Sequence, residues 1–342
     1  MGYLIELNTK KYSFLTPDLK ICRIINGMWQ VSGAHGYINN EKAIKSMGIY
    51  VDKGFITWDL ADHYGPAEDF VKIFRERRLN TKGAGSLEGV HFFTKWVPRP
   101  QNITKEVVLK AIDISRKRMG MKSLDLLQFH WWDYQDNNFL KAIEFLDELR
   151  REGIIKNLGL TNFNTNHTQQ FLDMGIELIS NQVQYSLIDR RPEQLMAQLC
   201  KNYDIKLLAY GTLCGGLLSK KYLGQPEPFN EQLYTASLYK YKNMIDRWGG
   251  WKLFQTLLKK LDEIAKKYKV SIANVAVRYV LENPIIGGAI IGARLGISEH
   301  IEENMRVFNF SLNPEDLDQI NEILAKSRDL MKIIGDCGDE YR

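Results

Sequence analysis

The chain has 342 residues, with 46 Lys+Arg against 41 Asp+Glu for a formal charge of +5, and is 44% apolar and 25% charged. These are ordinary globular proportions. They exclude a disordered tail, a collagen-like array and a strongly charged partner-binding chain, and the slight basic excess is only a weak hint of anionic ligands.

In chain order, short β-branched or aromatic runs alternate with amphipathic stretches. Residues 3–22 precede the first run and have room for a hairpin closing a barrel floor. The runs are Arg23–Met28, Phe55–Asp59, His91–Val97, Leu124–His130, Ile155–Thr161, Ile179–Gln184, Ile205–Tyr210 and Ala289–Gly292. They are near-continuously apolar, as expected of parallel strands covered on both faces. Between them, Val107, Val108, Ala111, Ile112, Ser115 and Met119 recur at helical spacing. So do Phe139, Ala142, Ile143, Leu146 and Leu149, and then Phe254, Leu257, Leu258, Leu261, Ala265 and Tyr268. Thr104 and Asn137 suit helix N-caps, and Gly54, Gly120, Gly153 and Gly175 stand where helices should stop. The alternation predicts an α/β fold, a (β/α)8 TIM barrel forming a single domain over residues 1–342. A doubly wound sheet is the rival, but it wants a glycine fingerprint after its first strand. Gly27 is followed instead by Met28-Trp29-Gln30-Val31-Ser32-Gly33. Residues 222–251, with Tyr222, Tyr234, Tyr239, Tyr241, Trp248 and Trp251, read as a long aromatic loop after the seventh strand, and 311–342 as a C-terminal segment.

Reactive residues of a barrel come from the C-terminal ends of several strands. Those ends carry Asp59, Lys95 and His130, with Tyr64 in the loop just beyond Asp59. An ionisable residue ending an apolar strand is costly unless paired, so the three are expected to pair with one another. A tyrosine titrates near pH 10, and acid–base work near neutrality asks for a shift of about three units, or about 4 kcal/mol. A lysine ammonium at about 4 Å, at an effective dielectric near 20, supplies roughly that much. The aspartate holds the ammonium, and the histidine donates to the substrate oxygen. The result is a proton donor aimed at a developing alkoxide. The hydride that completes carbonyl reduction comes from no side chain, so a nicotinamide cofactor is required.

Trp58-Asp59-Leu60-Ala61-Asp62-His63-Tyr64-Gly65 resembles the aldo-keto reductase signature F-D-T-A-x-x-Y-G, and Thr94-Lys95 and Phe129-His130 match that family's lysine and histidine motifs in order. Gly159-Leu160-Thr161-Asn162-Phe163, Asn181-Gln182-Val183-Gln184-Tyr185-Ser186, Leu208-Ala209-Tyr210-Gly211-Thr212-Leu213 with Lys221-Tyr222, and Ile290-Ile291-Gly292-Ala293-Arg294 with Glu303-Asn304 resemble its later blocks. Leu60 and Trp58 replace the usual threonine and phenylalanine without removing a reacting group. The resemblance implies a catalytic set of Asp59, Tyr64, Lys95 and His130. Thr161, Asn162 and Gln182 would hold the nicotinamide carboxamide, with Tyr210 stacked on its ring. Leu213, Gly215, Leu217, Ser219 and Lys221 would follow the pyrophosphate, and Gly27, Met28, Asp59 and Gly211 would also bind the cofactor. Gly292, Arg294, His300, Glu303 and Asn304 would surround the adenosine end. Arg294 or a partly protonated His300 would meet a 2′-phosphate, so NADPH is expected, with NADH as the alternative.

Trp29, Trp96 and Trp131, with Tyr64 and His130, are expected to line the substrate pocket. Trp131 and Trp132 are adjacent, so an extended segment cannot turn both toward it. The expected substrate is a small carbonyl or sugar-like molecule handled by a monomer. The rival readings are a regulatory NADP-binding subunit resembling potassium-channel β subunits, and a metal-dependent barrel using Asp59 and His130. The six histidines show no HExxH and no His/Cys cluster has zinc spacing. Arg75, Arg77, Arg78 and Lys82 read as a solvated helix face rather than a nucleic-acid site. The start Met1-Gly2-Tyr3-Leu4-Ile5-Glu6 lacks a basic n-region and an apolar core, the apolar run Leu207–Ser219 is too short to span a bilayer, and Cys22, Cys200, Cys214 and Cys337 form no CxxC. The expectation is a cytoplasmic protein with reduced thiols and no membrane partner.

Overall fold

The computed structural model describes residues 11–33, 38–99 and 101–341. Residues 1–10, which carry the leader reading and the start of the expected hairpin, lie outside them. The hairpin itself is formed by β1 (Tyr12–Thr16) and β2 (Leu19–Cys22), paired antiparallel. Eight strands follow: β3 (Ile24–Gly27), β4 (Thr57–Asp59), β5 (His91–Trp96), β6 (Leu126–Phe129), β7 (Leu158–Thr161), β8 (Ser180–Gln184), β9 (Lys206–Tyr210) and β10 (Ile286–Gly292). They close into a parallel barrel in the order β10-β3-β4-β5-β6-β7-β8-β9, each inside or overlapping an apolar run of the sequence.

The helices are α1 (Asn40–Asp52), α2 (Ala67–Lys82), α3 (Lys105–Met119), α4 (Asn138–Arg151), α5 (Thr165–Asp173), α6 (Met196–Tyr203), α7 (Ala236–Trp248), α8 (Gly250–Tyr268), α9 (Ile272–Glu282), α10 (Ile301–Arg306), α11 (Pro314–Leu324) and α12 (Leu330–Ile334). Thr104 caps α3 through its side chain, and Gly120 ends that helix in the left-handed region. Asn137 precedes α4 but makes no side-chain cap; Asp136 Oδ1 accepts from the Asn138 amide instead, at 3.0 Å. The expected loop 222–251 is largely helical. Four of its aromatics, Tyr239, Tyr241, Trp248 and Trp251, lie on α7 and the start of α8, where Tyr241, Trp248 and Trp251 are buried in a core shared with α9 and α11. A helical stripe of aromatics reads as a loop only while its packing partners, distant in sequence, are unknown.

Side-chain alternation sorts the barrel into layers. Leu15, Leu19 and Ile21 of the hairpin pack against Ile25, Phe93, Leu126, Ile179 and Leu208 inside the barrel, filling its floor. Gly287 of β10 permits this, since a Cβ there would stand 2.7 Å from Leu15 Cδ2. Above that apolar plug the inward positions turn polar: Asp59, Lys95, Gln128 and Gln182. The opposite parity, Phe92, Trp96 and Phe129, faces the helices. Around the outside, the basic face of α2 is tied to α1, with Arg77 on Glu41, and Arg78 and Lys82 on Asp52. Among the described residues no helix is long and apolar enough to cross a membrane.

Candidate active site

The polar layer at the C-terminal mouth is knit by side-chain bonds between neighbouring strands. Parallel register sets Gly27 beside Asp59, Lys95 beside Gln128, and Thr161 beside Gln182. Lys95 Nζ lies 2.6 Å from Asp59 Oδ2 and donates to the Leu60 carbonyl at 2.7 Å. Asp59 Oδ1 accepts from Gln128 Nε2 at 2.9 Å and from Gln182 Nε2 at 2.7 Å. A carboxylate needs such partners when it is this deeply buried. Those donors also leave Asp59 poorly disposed to bind a metal, and the described residues hold no group of three His, Cys, Asp or Glu side chains able to do so.

Tyr64 sits in the loop after β4, with Lys95 Nζ 4.9 Å from its ring centroid and Trp29 edge-on at 5.0 Å. The loop is stapled by a residue that sequence reasoning missed. Arg118 of α3 donates to the Asp62 carbonyl at 3.1 Å, to that of Gly65, and to Glu68 Oε2 at 3.0 Å. Its only sequence signal is a cation in the last turn of a helix, which ordinarily means no more than dipole compensation.

The electrostatics depart from the sequence expectation. Burial pushes the Tyr64 phenol well above its ordinary range, and Asp59, Tyr341 and Asp62 push it further. Lys95 does not reverse this, because its charge is bound up with Asp59. Burial lowers the lysine, and the Asp59 carboxylate opposes that shift. Burial and the nearby acidic groups outweigh the ammonium, so the phenol is raised rather than acidified.

His130 follows directly on β6, and its Nδ1 lies 3.0 Å from the Thr161 carbonyl. A carbonyl only accepts, so Nδ1 carries the proton, and donation from Nε2 to a substrate oxygen then requires the imidazolium. Two of the expected pocket tryptophans face elsewhere. Trp96 stacks on Phe129 at 5.7 Å, and Trp131 packs between Phe129 and Phe139 on the helix side of the barrel. Trp132, 45% exposed, instead meets the His130 ring edge-on at 4.3 Å. The strand parity that turns Lys95 inward turns Trp96 outward, and the chain leaves β6 with Trp131 on the Phe129 side.

The residues expected at the nicotinamide end surround the same mouth. Asn162 is left-handed with φ 57°, and its Oδ1 accepts from Tyr210 Oη at 2.8 Å. Thr161 Oγ1 is buried and meets no described hydrogen-bond partner. Met28 and Leu217 bury their side chains in core clusters, leaving only backbone for a ligand. Gly211 and Gly215 adopt positive φ, and α7 lies on both, with Tyr241 Oη 2.3 Å from where a Gly211 Cβ would stand. Ser219 Oγ donates back to Gly216 at 2.8 Å, and Lys221 is exposed between the Tyr222 and Tyr234 rings. Gln30, absent from the sequence expectation, covers Gly292, and its buried Oε1 has no described partner. Arg294 and His300 are exposed, and His300 Nδ1 stands 3.4 Å from Glu303 Oε2. Asn304 follows on α10, its amide bonded to the His300 carbonyl at 2.8 Å. The unsatisfied buried oxygens of Thr161 and Gln30 are groups that a dinucleotide laid across the mouth would satisfy.

Fold and site together define a nicotinamide-dependent barrel oxidoreductase acting on carbonyl–alcohol pairs. The chain belongs to the aldo/keto reductase family, whose profile matches residues 23–325. It is 27% identical to the aldo-keto reductase YhdN of Bacillus subtilis, over 92% of this chain and 93% of that one. It is 23% identical to the NADH-specific methylglyoxal reductase of Escherichia coli K12, over 92% and 98% of the two chains. It is 23% identical to the L-glyceraldehyde 3-phosphate reductase of Escherichia coli O157:H7, over 90% of each. In fold it is similar to the glycerol dehydrogenase AKR11B4 of Gluconobacter oxydans, with a TM-score of 0.76, 23% identity, and 93% and 96% of the chains covered.

Proposed function

We propose that the protein reduces small aldehydes or ketones to alcohols with NADPH, Tyr64 giving the proton. The observation that carries the reading is the buried Lys95–Asp59 pair, 2.6 Å apart, set beside the Tyr64 ring at the barrel mouth. Bound there, the reduced dinucleotide supplies hydride. Tyr64 keeps its proton at neutral pH because burial raises the phenol. It releases that proton to the carbonyl oxygen as alkoxide character develops, since an alkoxide is a stronger base than even a buried phenolate. Lys95 and Asp59 form a neutral, rigid floor under the phenol, and Arg118 fixes its loop. His130, oriented by the Thr161 carbonyl, shapes the place of the carbonyl group, and Trp29 and Trp132 wall the substrate side.

Thr161, Asn162 and Gln182 would take the carboxamide, Tyr210 the ring face, and the 211–219 loop with Lys221 the pyrophosphate. Gly27 and Met28 would contribute backbone, and Gly292, Arg294, His300, Glu303 and Asn304 the adenosine end. Arg294 supports NADPH: it is exposed and makes no ion pair with a described residue. The Glu303 carboxylate beside His300 favours NADH as the second reading, and a titration with the two dinucleotides separates them. Four free, buried thiols support a reducing, cytoplasmic setting.

Tyr64→Phe tests the assignment. Turnover is expected to fall by about 10²–10⁴-fold while dinucleotide affinity, followed by fluorescence quenching, is kept. Unchanged turnover refutes it.

A further inference from the structure

Residues beyond 325 lie outside the family match, yet the described segment 326–341 returns to the barrel mouth. After α12 the chain turns at Gly335 and is gripped by Arg191, from the connection between β8 and α6. Arg191 Nη1 donates to the Gly335 and Asp336 carbonyls at 3.4 and 3.0 Å. Its Nη2 donates to Asp189 Oδ2 at 2.7 Å and Glu340 Oε2 at 2.9 Å. The Arg191 and Asp189 side chains are 1% exposed and that of Glu340 6%. Charges so deeply buried persist only as a mutually paired set.

The network continues into the site. Glu340 Oε1 accepts from Tyr210 Oη at 3.0 Å, and Tyr341 Oη lies 3.2 Å from the same hydroxyl. Lys240 of α7 donates to Tyr341 Oη. Lys240 donates to Tyr341, which leaves the Tyr341 proton for Tyr210 Oη, and the single Tyr210 proton is shared between Glu340 Oε1 and Asn162 Oδ1, 3.0 and 2.8 Å away. The Tyr341 ring stands 6.4 Å from His130 and 6.2 Å from Trp132.

The strap does not need Glu340 to stay in place. Thr165 N donates to Asp336 Oδ2 at 2.7 Å and Asn164 Nδ2 to Asp339 Oδ1 at 3.4 Å, in addition to the Arg191 contacts with the backbone. What Glu340 adds is a fixed acceptor for a hydroxyl whose ring borders the nicotinamide end.

We propose that Glu340, anchored by Arg191, is a positioning residue for the dinucleotide: through the Tyr210 hydroxyl it holds the Tyr210 ring and the Asn162 amide in the arrangement that receives the nicotinamide. This rests on the reading that Tyr210 and Asn162 face that group. A ring fixed before binding loses no freedom on binding, which is how preorganisation raises affinity.

The test measures NADPH and NADH dissociation constants by fluorescence quenching in full-length variants, alongside their thermal midpoints. Glu340→Gln is expected to weaken the better-bound dinucleotide by about tenfold. Glu340→Asp keeps the charge beside Arg191 but draws the oxygen away from Tyr210, and is expected to do the same even if Glu340→Gln folds poorly. In a Tyr210→Phe background, neither substitution is expected to cost more than about twofold, because contacting groups are non-additive when one acts through the other. Unchanged affinity in the Glu340 variants, or an equal loss with and without the Tyr210 hydroxyl, overturns the proposal. If Tyr210→Ala also leaves affinity unchanged, the nicotinamide-end assignment is what fails, and this proposal falls with it.

Discussion

Replacing Lys95 by methionine would strip Asp59 of its cation while keeping most of the side-chain volume. The two side chains are 3% and 4% exposed, with Nζ and Oδ2 2.6 Å apart. At an effective dielectric near 20, charges at that separation attract by about 6 kcal/mol. The Gln128 and Gln182 amides, at 2.9 and 2.7 Å from Oδ1, remain and offset part of the loss. Removing one partner of a buried pair costs about 3–5 kcal/mol, and with two donors remaining Lys95→Met should fall in that range. Asp59→Asn leaves a buried ammonium with the Leu60 carbonyl and should also destabilise. The double variant Asp59→Asn/Lys95→Met buries no charge, and is expected to return to within about 1 kcal/mol of the parent. All three lose turnover, so urea unfolding followed by circular dichroism at neutral pH, at a constant m-value, is the readout. A double variant whose loss equals the sum of the single losses would refute the claim that the pair acts as one neutral unit.

With burial, Asp59, Tyr341 and Asp62 all holding the Tyr64 phenol up, the proton donor stays loaded across neutral pH. Carbonyl-reduction kcat/KM should therefore be flat from about pH 7 to 9, while alcohol oxidation, which needs the phenolate, should rise about tenfold per unit over the same interval. A reduction rate that falls off with an apparent pKa inside that window would show that Lys95 does acidify the phenol. Trp131→Ala should destabilise by about 3–5 kcal/mol with little change in carbonyl KM, since that ring packs between Phe129 and Phe139. Trp132→Ala should cost under about 1 kcal/mol and raise carbonyl KM; thermal unfolding and steady-state kinetics would expose the reverse pattern.

Much of this was legible in the chain because it is local. Apolar runs covered on both faces mark the barrel strands, and an ionisable residue at the end of such a run marks the mouth, as Asp59, Lys95 and His130 do. Other features were not. Trp96 and Trp131 are attractive pocket residues until strand parity is known, and a shift of one position along a strand exchanges inside for outside. Arg118 and Gln30 carry no signal that distinguishes them from ordinary surface or core residues, and Trp132 is separated from its neighbour Trp131 only by which of the two turns inward. The helix in 222–251 was hidden because its aromatic stripe is buried against α9 and α11, far along the chain.

The amino-acid order by itself determined the alternation of strand and helix, the barrel, and which reactive groups stand at its mouth, since periodicity and strand-end placement are properties of neighbouring residues. Tertiary structure alone decided that burial and the neighbouring acidic groups hold the Tyr64 phenol up, and that the C-terminal strap reaches Tyr210. Both depend on the distance and solvent exposure of groups tens to hundreds of residues apart, and charge–charge energies are set by those two quantities.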